Sequence, residues 1–175
     1  VLFRSISEKL TPKALYSSLI EASSTFQMYA QEDSASALTF LLDSLPVDLQ
    51  AFYKINLTNT ITCTDSEPRH VCSVQEEKFS LLPVPIDNNN LQLSLEGHLN
   101  NFFQKEEMND ANNLYRCERC SKNVNSNHQR RLKNAPDYLI IQLKLFDFDV
   151  YGKKILAHPE LPMEIDMVQY LEENT

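Results

Sequence analysis

Cys117 and Cys120 stand in a Cys-x-x-Cys step, Asn113-Leu-Tyr115-Arg-Cys117-Glu-Arg-Cys120. That step is the most compact way a chain can offer two thiolates to one tetrahedral metal ion. The only other cysteines, Cys63 and Cys72, flank Thr-Asp-Ser-Glu-Pro-Arg-His-Val. Two cysteine pairs far apart in sequence, each at the tip of a β-like segment, make the layout of a zinc ribbon. The first pair is irregular. Ser66 stands where a tight knuckle places its second thiolate, Cys72 comes further along, and His70 offers a nitrogen in its stead. The spacing predicts a structural zinc on Cys63, Cys72, Cys117 and Cys120, with His70 as the alternative donor. Four protein ligands leave no open position for a water, so Lewis-acid chemistry is not expected. Reduced cysteines without metal are the plainer reading. Disulfides are the third, and they belong to oxidising compartments, for which no signal-peptide pattern is visible here. A nucleophilic thiolate needs an imidazole within hydrogen-bond reach. None of the four cysteines has a nucleophile-like setting beside His70, His98, His128 or His158, so no catalytic residue is assigned.

The elements that must position these residues read as helices first and strands later. Pro12 to Phe26 carries Leu15, Leu19 and Ile20 at helical spacing, and its Ser-rich tail predicts an early end. Asp33 and Ser34 can cap a second helix, with Leu38, Leu41, Leu42 and Leu45 on its face and Pro46 as its stop. Tyr53, Ile55, Leu57 and Ile61 alternate with polar residues over 52–62, the period of a half-exposed strand. Residues 79–86 are extended, and Pro83 and Pro85 confine them to an edge. Asp87 to Asn90 is a turn. Ser94 caps a helix bearing Leu95, Leu99, Phe102 and Phe103. A polar loop through His128 follows the cysteine knuckle, and 138–146 is expected to be a buried core strand behind Pro136. A turn at Tyr151-Gly152 leads to Lys154-Ile-Leu156, and Leu161 to Asp166 is expected to be extended. The pattern is α+β.

The 175 residues suffice for one ordinary domain or part of a larger one, and 42% hydrophobic content can bury a core. No run approaches the roughly 18 apolar residues a membrane helix needs. A net charge of −8 and a pI near 5.0 speak against nucleic acid, whose phosphates want a basic face. An acidic surface suits a basic partner, or serves solubility alone. Reduced cysteines point to the cytoplasm or nucleus. Val1-Leu-Phe-Arg-Ser5 matches the translated end of a common sequencing adapter, so residues 1–5 are set aside as an adapter remnant, and Glu172 to Thr175 stops without a cap or turn, as an internal fragment does.

The order of these segments resembles the ubiquitin-specific proteases, papain-like cysteine proteases that cleave ubiquitin from its conjugates. Gln31-Glu-Asp33-Ser-Ala-Ser-Ala-Leu38 with Leu41-Leu42-Asp43 is similar to the family's Gln-Gln-Asp-Ala-x-Glu-Phe helix. Glu106-Glu107-Met108 through Cys120 is similar to its Glu-Glu-Leu…Asn-x-Tyr-x-Cys-x-x-Cys segment, and Pro136 through Phe146 to its Pro-x-x-Leu-x-Ile-x-Leu-Lys-Arg-Phe strand. Lys154-Ile155, Leu161-Pro162, Ile165-Asp166 and Tyr170 follow in family order. Ser36-Ala37 in place of Glu-Phe, Leu145 in place of Arg and the altered first knuckle mark a divergent member. The resemblance implies part of a papain-like catalytic domain. Residues 6–46 fall in a helical thumb, 47–135 in β fingers with the zinc-ribbon cysteines, and 136–175 in palm strands. It implies ubiquitin as partner. Asp33 and Gln31 would hold ubiquitin's extended tail, and Phe148 would line the tail channel, with Phe146 packed in the core. For Asp33 the residues alone allow a plain helix cap equally well. The acidic pairs Glu76-Glu77 and Glu106-Glu107 would face ubiquitin's basic surface or simply solvent. The family's Gly-Asn-Thr-Cys box and its C-terminal His box are not among these residues, so the alternatives to a hydrolase part are an inactive ubiquitin-binding scaffold and a stand-alone zinc-ribbon module.

Overall fold

The computed structural model describes residues 13–27, 30, 32–145 and 154–172. They fall into two compact units divided between Phe40 and Leu41. In the first, helix α1 (Lys13–Ala22) ends where its Ser-rich tail predicts, and buried Phe26 meets Phe40 edge-on at 5.8 Å. Helix α2 (Ser34–Asp43) begins on Asp33, whose carboxylate accepts from the backbone N–H of Ala35 (3.1 Å) and Ser36 (3.2 Å). Those are N–H groups that a helix start leaves without partners, which explains why the helix starts there.

In the second unit, Pro46 is the N-cap residue of a single helical turn, α3 (Val47–Gln50). The turn delays the strand expected from residue 52: Lys54 N–H still donates to Gln50 O, and β1 runs Ile55–Cys63. Strand β2 (His70–Phe79) returns antiparallel, and β3 (Leu82–Pro85) follows. Ser94 caps helix α4 (Leu95–Phe103) through Gly97 N–H at 3.2 Å, as its sequence predicts. The short strands β4 (Glu106–Met108), β5 (Tyr115–Cys117) and β6 (Lys122–Val124) precede β7 (Ser126–Leu132) and β8 (Ile141–Lys144). A 3-10 turn spans Val168–Tyr170. The main sheet is antiparallel in the order β2-β1-β7-β4, β3 pairs with β8 in parallel, and β5 and β6 form their own hairpin.

Two expectations need correction. The polar stretch through His128 is not a loop: Ser126 to Leu132 is an inner strand, bonded to β1 on one side and β4 on the other. Its side chains find lateral partners instead of an apolar face. His128 Nε2 lies 3.3 Å from Asn59 Oδ1, Arg130 covers the Phe102 ring at 5.3 Å, and Arg131 donates to Phe103 O at 2.9 Å. Polarity hid the strand because hydrophobic periodicity cannot register such pairs. Conversely, 138–146 is not a fully buried core strand. Among its described residues, 138–145, the strand is Ile141–Lys144, all four residues are half-buried, and Tyr138 is exposed against Tyr53. Leu139, Ile141 and Leu143 pack against the core cluster from its margin, so the run lies beside the core instead of through it.

The core gathers Ile55 and Leu57 of β1, Leu82 and Val84 of β3, Leu95, Leu99 and Phe103 of α4, Leu132 of β7 and Tyr170. Tyr170 stacks on Phe103 at 4.7 Å and donates to Asn100 Oδ1 at 2.7 Å. Burial of each such aliphatic side chain is worth about 1.5–3 kcal/mol. This mass anchors one end of β1 and β7, and their other end carries the cysteines.

Candidate metal centre

Strand β1 delivers Cys63 as its last residue, and β2 delivers His70 as its first. The register between them shifts by one: Ile61 faces Ser73, but Thr62 faces Val71 and Cys63 faces His70. Cys72 is the extra residue. Without that bulge Cys63 would face Val71, and a one-residue slip exchanges the faces of a strand. The β5–β6 hairpin brings Cys117 and Cys120 from the other side. Its turn closes with Ser121 at φ 57, a left-handed conformation, and the Cys120 N–H donates to Cys117 Sγ at 3.4 Å. Asp65 ties the two halves together, accepting from Asn125 N (3.2 Å) and Asn125 Nδ2 (2.8 Å).

None of the four cysteines is in a disulfide, so that reading falls. The ligand atoms of Cys63, His70, Cys72 and Cys117 all lie within 4.8 Å of one another. Cys72 Sγ is 3.6 Å from Cys117 Sγ, Cys63 Sγ is 3.9 Å from Cys120 Sγ, and His70 Nε2 is 3.3 Å from Cys117 Sγ. With zinc–sulfur and zinc–nitrogen bonds near 2.3 and 2.0–2.1 Å, a tetrahedral ion sets edges of about 3.8 Å between sulfurs and about 3.5 Å between sulfur and nitrogen. The donors fit such an ion. Behind them, Ser66 Oγ lies 2.9 Å from His70 Nδ1.

Hydrogen bonds from His70 and from the Cys120 backbone hold the Cys117 thiol down at about 6. Burial, and then the neighbouring Cys117 thiolate, pushes Cys72 and Cys120 up to about 11. Without a cation, then, Cys117 is favoured as the thiolate while Cys72 and Cys120 are favoured as thiols. With a divalent ion bound, Cys72 would be held as a thiolate beside Cys117 and its proton released.

The structure does contain a thiolate–imidazole contact that sequence reasoning did not find: His70 with Cys117, oriented by Ser66. Such a trio also describes a nucleophilic dyad and its orienting group. Burial decides between the two. Cys117 is 1% exposed and crowded by Cys72, so no carbonyl can reach its sulfur, whereas a metal ion can.

Among the other expected site residues, Asp33 is exposed at the start of α2, where it caps the helix and accepts from Ser36 Oγ at 3.0 Å. Gln31 and Phe148 lie outside the described residues, as do Phe146 and the Tyr151-Gly152 turn. Of the acidic pairs, Glu76 is bonded to Lys133, and Glu106 sits 3.6 Å from His128. Ser66 and Asp65 are the site residues that the sequence reading missed as partners. Their only signal was position, three and two residues after Cys63.

A mixed fold whose antiparallel sheet ends in a cysteine-lined double hairpin is the class of structure these observations define. The family model described as ubiquitin carboxyl-terminal hydrolase matches residues 2–175, and the chain belongs to that family, within its ubiquitin-specific proteases. It is 31% identical over 153 residues to mouse ubiquitin carboxyl-terminal hydrolase 9X, covering 80% of this chain and 6% of that protein. To the Drosophila melanogaster probable ubiquitin carboxyl-terminal hydrolase FAF it is 28% identical over 169 residues, 91% of this chain and 6% of the relative. The chain thus spans about 6% of the length of these relatives. The Ubp8 SAGA DUB module bound to ubiquitin aldehyde matches with TM-score 0.64 and 21% identity, over 82% of this chain and 34% of that one. The fold is therefore that of the ubiquitin-specific protease catalytic domain, as its sequence resemblance implied. Among the described residues, no helix is long and apolar enough to cross a membrane.

Proposed function

We propose that this chain is part of a cysteine-type deubiquitinase and grips ubiquitin while catalytic Cys and His boxes elsewhere in the protein cleave the ubiquitin–substrate bond. The observation that carries the reading is the cysteine-tipped double hairpin on a family fold, in a family of ubiquitin hydrolases. Residues 47–135 form the fingers against the ubiquitin body, 6–46 belong to the thumb and 136–175 to the palm. Zinc at the tip is structural: it clamps the β1–β2 end to the β5–β6 hairpin, and with four protein ligands it activates no water. Four cysteines outside any disulfide suit a reducing compartment, cytoplasm or nucleus.

Asp33, Gln31 and Phe148 engage the ubiquitin tail. A carboxylate at a helix start can accept a bidentate guanidinium bond while still capping the helix. The test is binding of monoubiquitin to the chain, compared with ubiquitin lacking its tail. Asp33→Ala is expected to weaken binding of intact ubiquitin by about 1–3 kcal/mol and to leave tail-less ubiquitin unaffected. Equal losses for both ligands would reduce Asp33 to a helix cap, and no binding of either would sink the grip. Hydrolysis is read on the protein with both boxes present, and retained binding without turnover there would point to the inactive scaffold.

A further inference from the structure

Arg130 and Arg131 are neighbours on β7, and because successive strand side chains leave opposite faces of a sheet they meet different surroundings. Arg131 finds carbonyls: its Nη1 donates to Phe103 O at 2.9 Å and to Arg130 O at 3.1 Å. Arg130 lies half-buried with its Cζ 5.3 Å from the centre of the Phe102 ring, and among the described residues its guanidinium has no carboxylate or carbonyl to bond. A guanidinium carries five N–H donors and no acceptor, so such a group is poised for an anion. We propose that Arg130 and Lys105 form a binding site for one carboxylate, the side chain of a glutamate or aspartate on a protein partner. The site shares no residue with the metal centre and goes beyond the ubiquitin grip proposed above.

Arg130, Lys105, Asn101, Gln104 and Glu106 line a hollow of about 180 Å³. Drug-sized ligands take pockets of roughly 300–1,000 Å³, and a cavity of about 150 Å³ holds a benzene ring, so this one suits a single compact group. Among the described residues Lys105 has no ion-pair partner, and the side-chain amides of Asn101 and Gln104 make no internal hydrogen bond. Glu106 is the acid of the lining, and it is engaged elsewhere: it stands opposite His128 in register, with Oε2 3.6 Å from His128 Nδ1. With His128 neutral, the lining carries two positive charges against one negative, in a chain of net charge −8. That surplus matches a carboxylate, whereas a phosphoryl group brings nearly two negative charges up to Glu106. The C-terminal end of α4 holds partial negative charge, which Arg131 offsets by bonding the Phe103 carbonyl. Arg130, already oriented by its stacking on Phe102, supplies a fork for both carboxylate oxygens, and Lys105 acts as a point charge.

The test is a titration of the whole chain, labelled with nitrogen-15, followed by magnetic resonance at the Arg130 Nε–H and at the side-chain amides of Asn101 and Gln104. The probe is the peptide acetyl-Gly-Glu-Gly-amide, whose one charge is the glutamate carboxylate, and the control carries glutamine in its place. The glutamate peptide should shift these resonances saturably, with a midpoint on the order of 1 mM for so small a ligand. The glutamine peptide should leave them where they are. Arg130→Lys keeps a cation over Phe102 but loses the fork, and should weaken binding about 10-fold. Lys105→Gln, an exposed change that spares the fold, should weaken it about 2- to 5-fold. Equal shifts with the glutamine peptide, no saturation with the glutamate peptide, or full affinity in Lys105→Gln overturns the site. Tighter binding of the matching phosphoserine peptide overturns the carboxylate and leaves a phosphoryl site in its place. Ubiquitin is absent from every arm, so the result is independent of the ubiquitin grip.

Discussion

The two ends of the main sheet are held by different means. At the α4 end, Leu82, Leu99 and Leu132 are at most 1% exposed within a continuous apolar cluster. At the cysteine end the buried apolar cluster among the described residues is Cys63, Cys117 and Val124, and the β5–β6 hairpin has three residues per strand. A two-stranded hairpin of that size is marginal in water. The contrast teaches that the cysteine end lies beyond the reach of the hydrophobic core, and that donors able to hold a metal stand there in place of buried apolar side chains.

Removing the metal should therefore separate the two ends, and this is the largest effect expected. Structural zinc sites carry on the order of 10 kcal/mol. Chelation should abolish amide-exchange protection across 115–124 while residues 55–58 of β1 keep theirs. Persistence of tip protection would show that packing alone holds the fingers. The converse perturbation is Leu99→Ala, which opens a cavity in the core and should cost about 2–5 kcal/mol in urea titration with metal stoichiometry intact. Smaller is Ser94→Ala, which leaves Gly97 N–H without its cap and should cost about 1 kcal/mol on the same scale.

The smallest expected effect concerns the ion pair near the core end. Lys54 Nζ and Ser80 Oγ each approach Asp43 Oδ1 at 2.6 Å. Burial pushes the Asp43 carboxyl up, but the hydrogen bonds and charge of its partners outweigh that and hold it below its ordinary range. A carboxyl depressed in the folded state contributes stability above its unfolded value and loses it as pH falls. Asp43→Asn should destabilise the protein by at most about 1 kcal/mol at neutral pH, because the pair is partly solvated. The difference should close below about pH 4, so denaturation at two pH values checks it. A pH-independent difference would assign the effect to packing.

Legibility followed the same division. Helix α4 could be read because a cap, Ser94, and an apolar face agree, although buried His98 on that face escaped the pattern. The start of α2 was legible from Asp33 for the same local reason. Strand β7 was not, since Asn127, His128, Arg130 and Arg131 carry no period-two signal and owe their conformation to neighbours on both edges. The apolar run 138–146 misled in the opposite sense, because hydrophobicity names a preference for burial and not its extent: Ile141–Lys144 are half-buried.

By itself the sequence determined the donors: the thiols of Cys63, Cys72, Cys117 and Cys120, the imidazole of His70, and the family order of segments that surrounds them. Only the tertiary structure decided how they meet. Strand side chains alternate with period two, so one extra residue in β2 is enough to exchange which of Val71 and His70 faces Cys63. That bulge exists because β1 and β2 are paired along their length, a property of two segments together that neither segment's residues express alone.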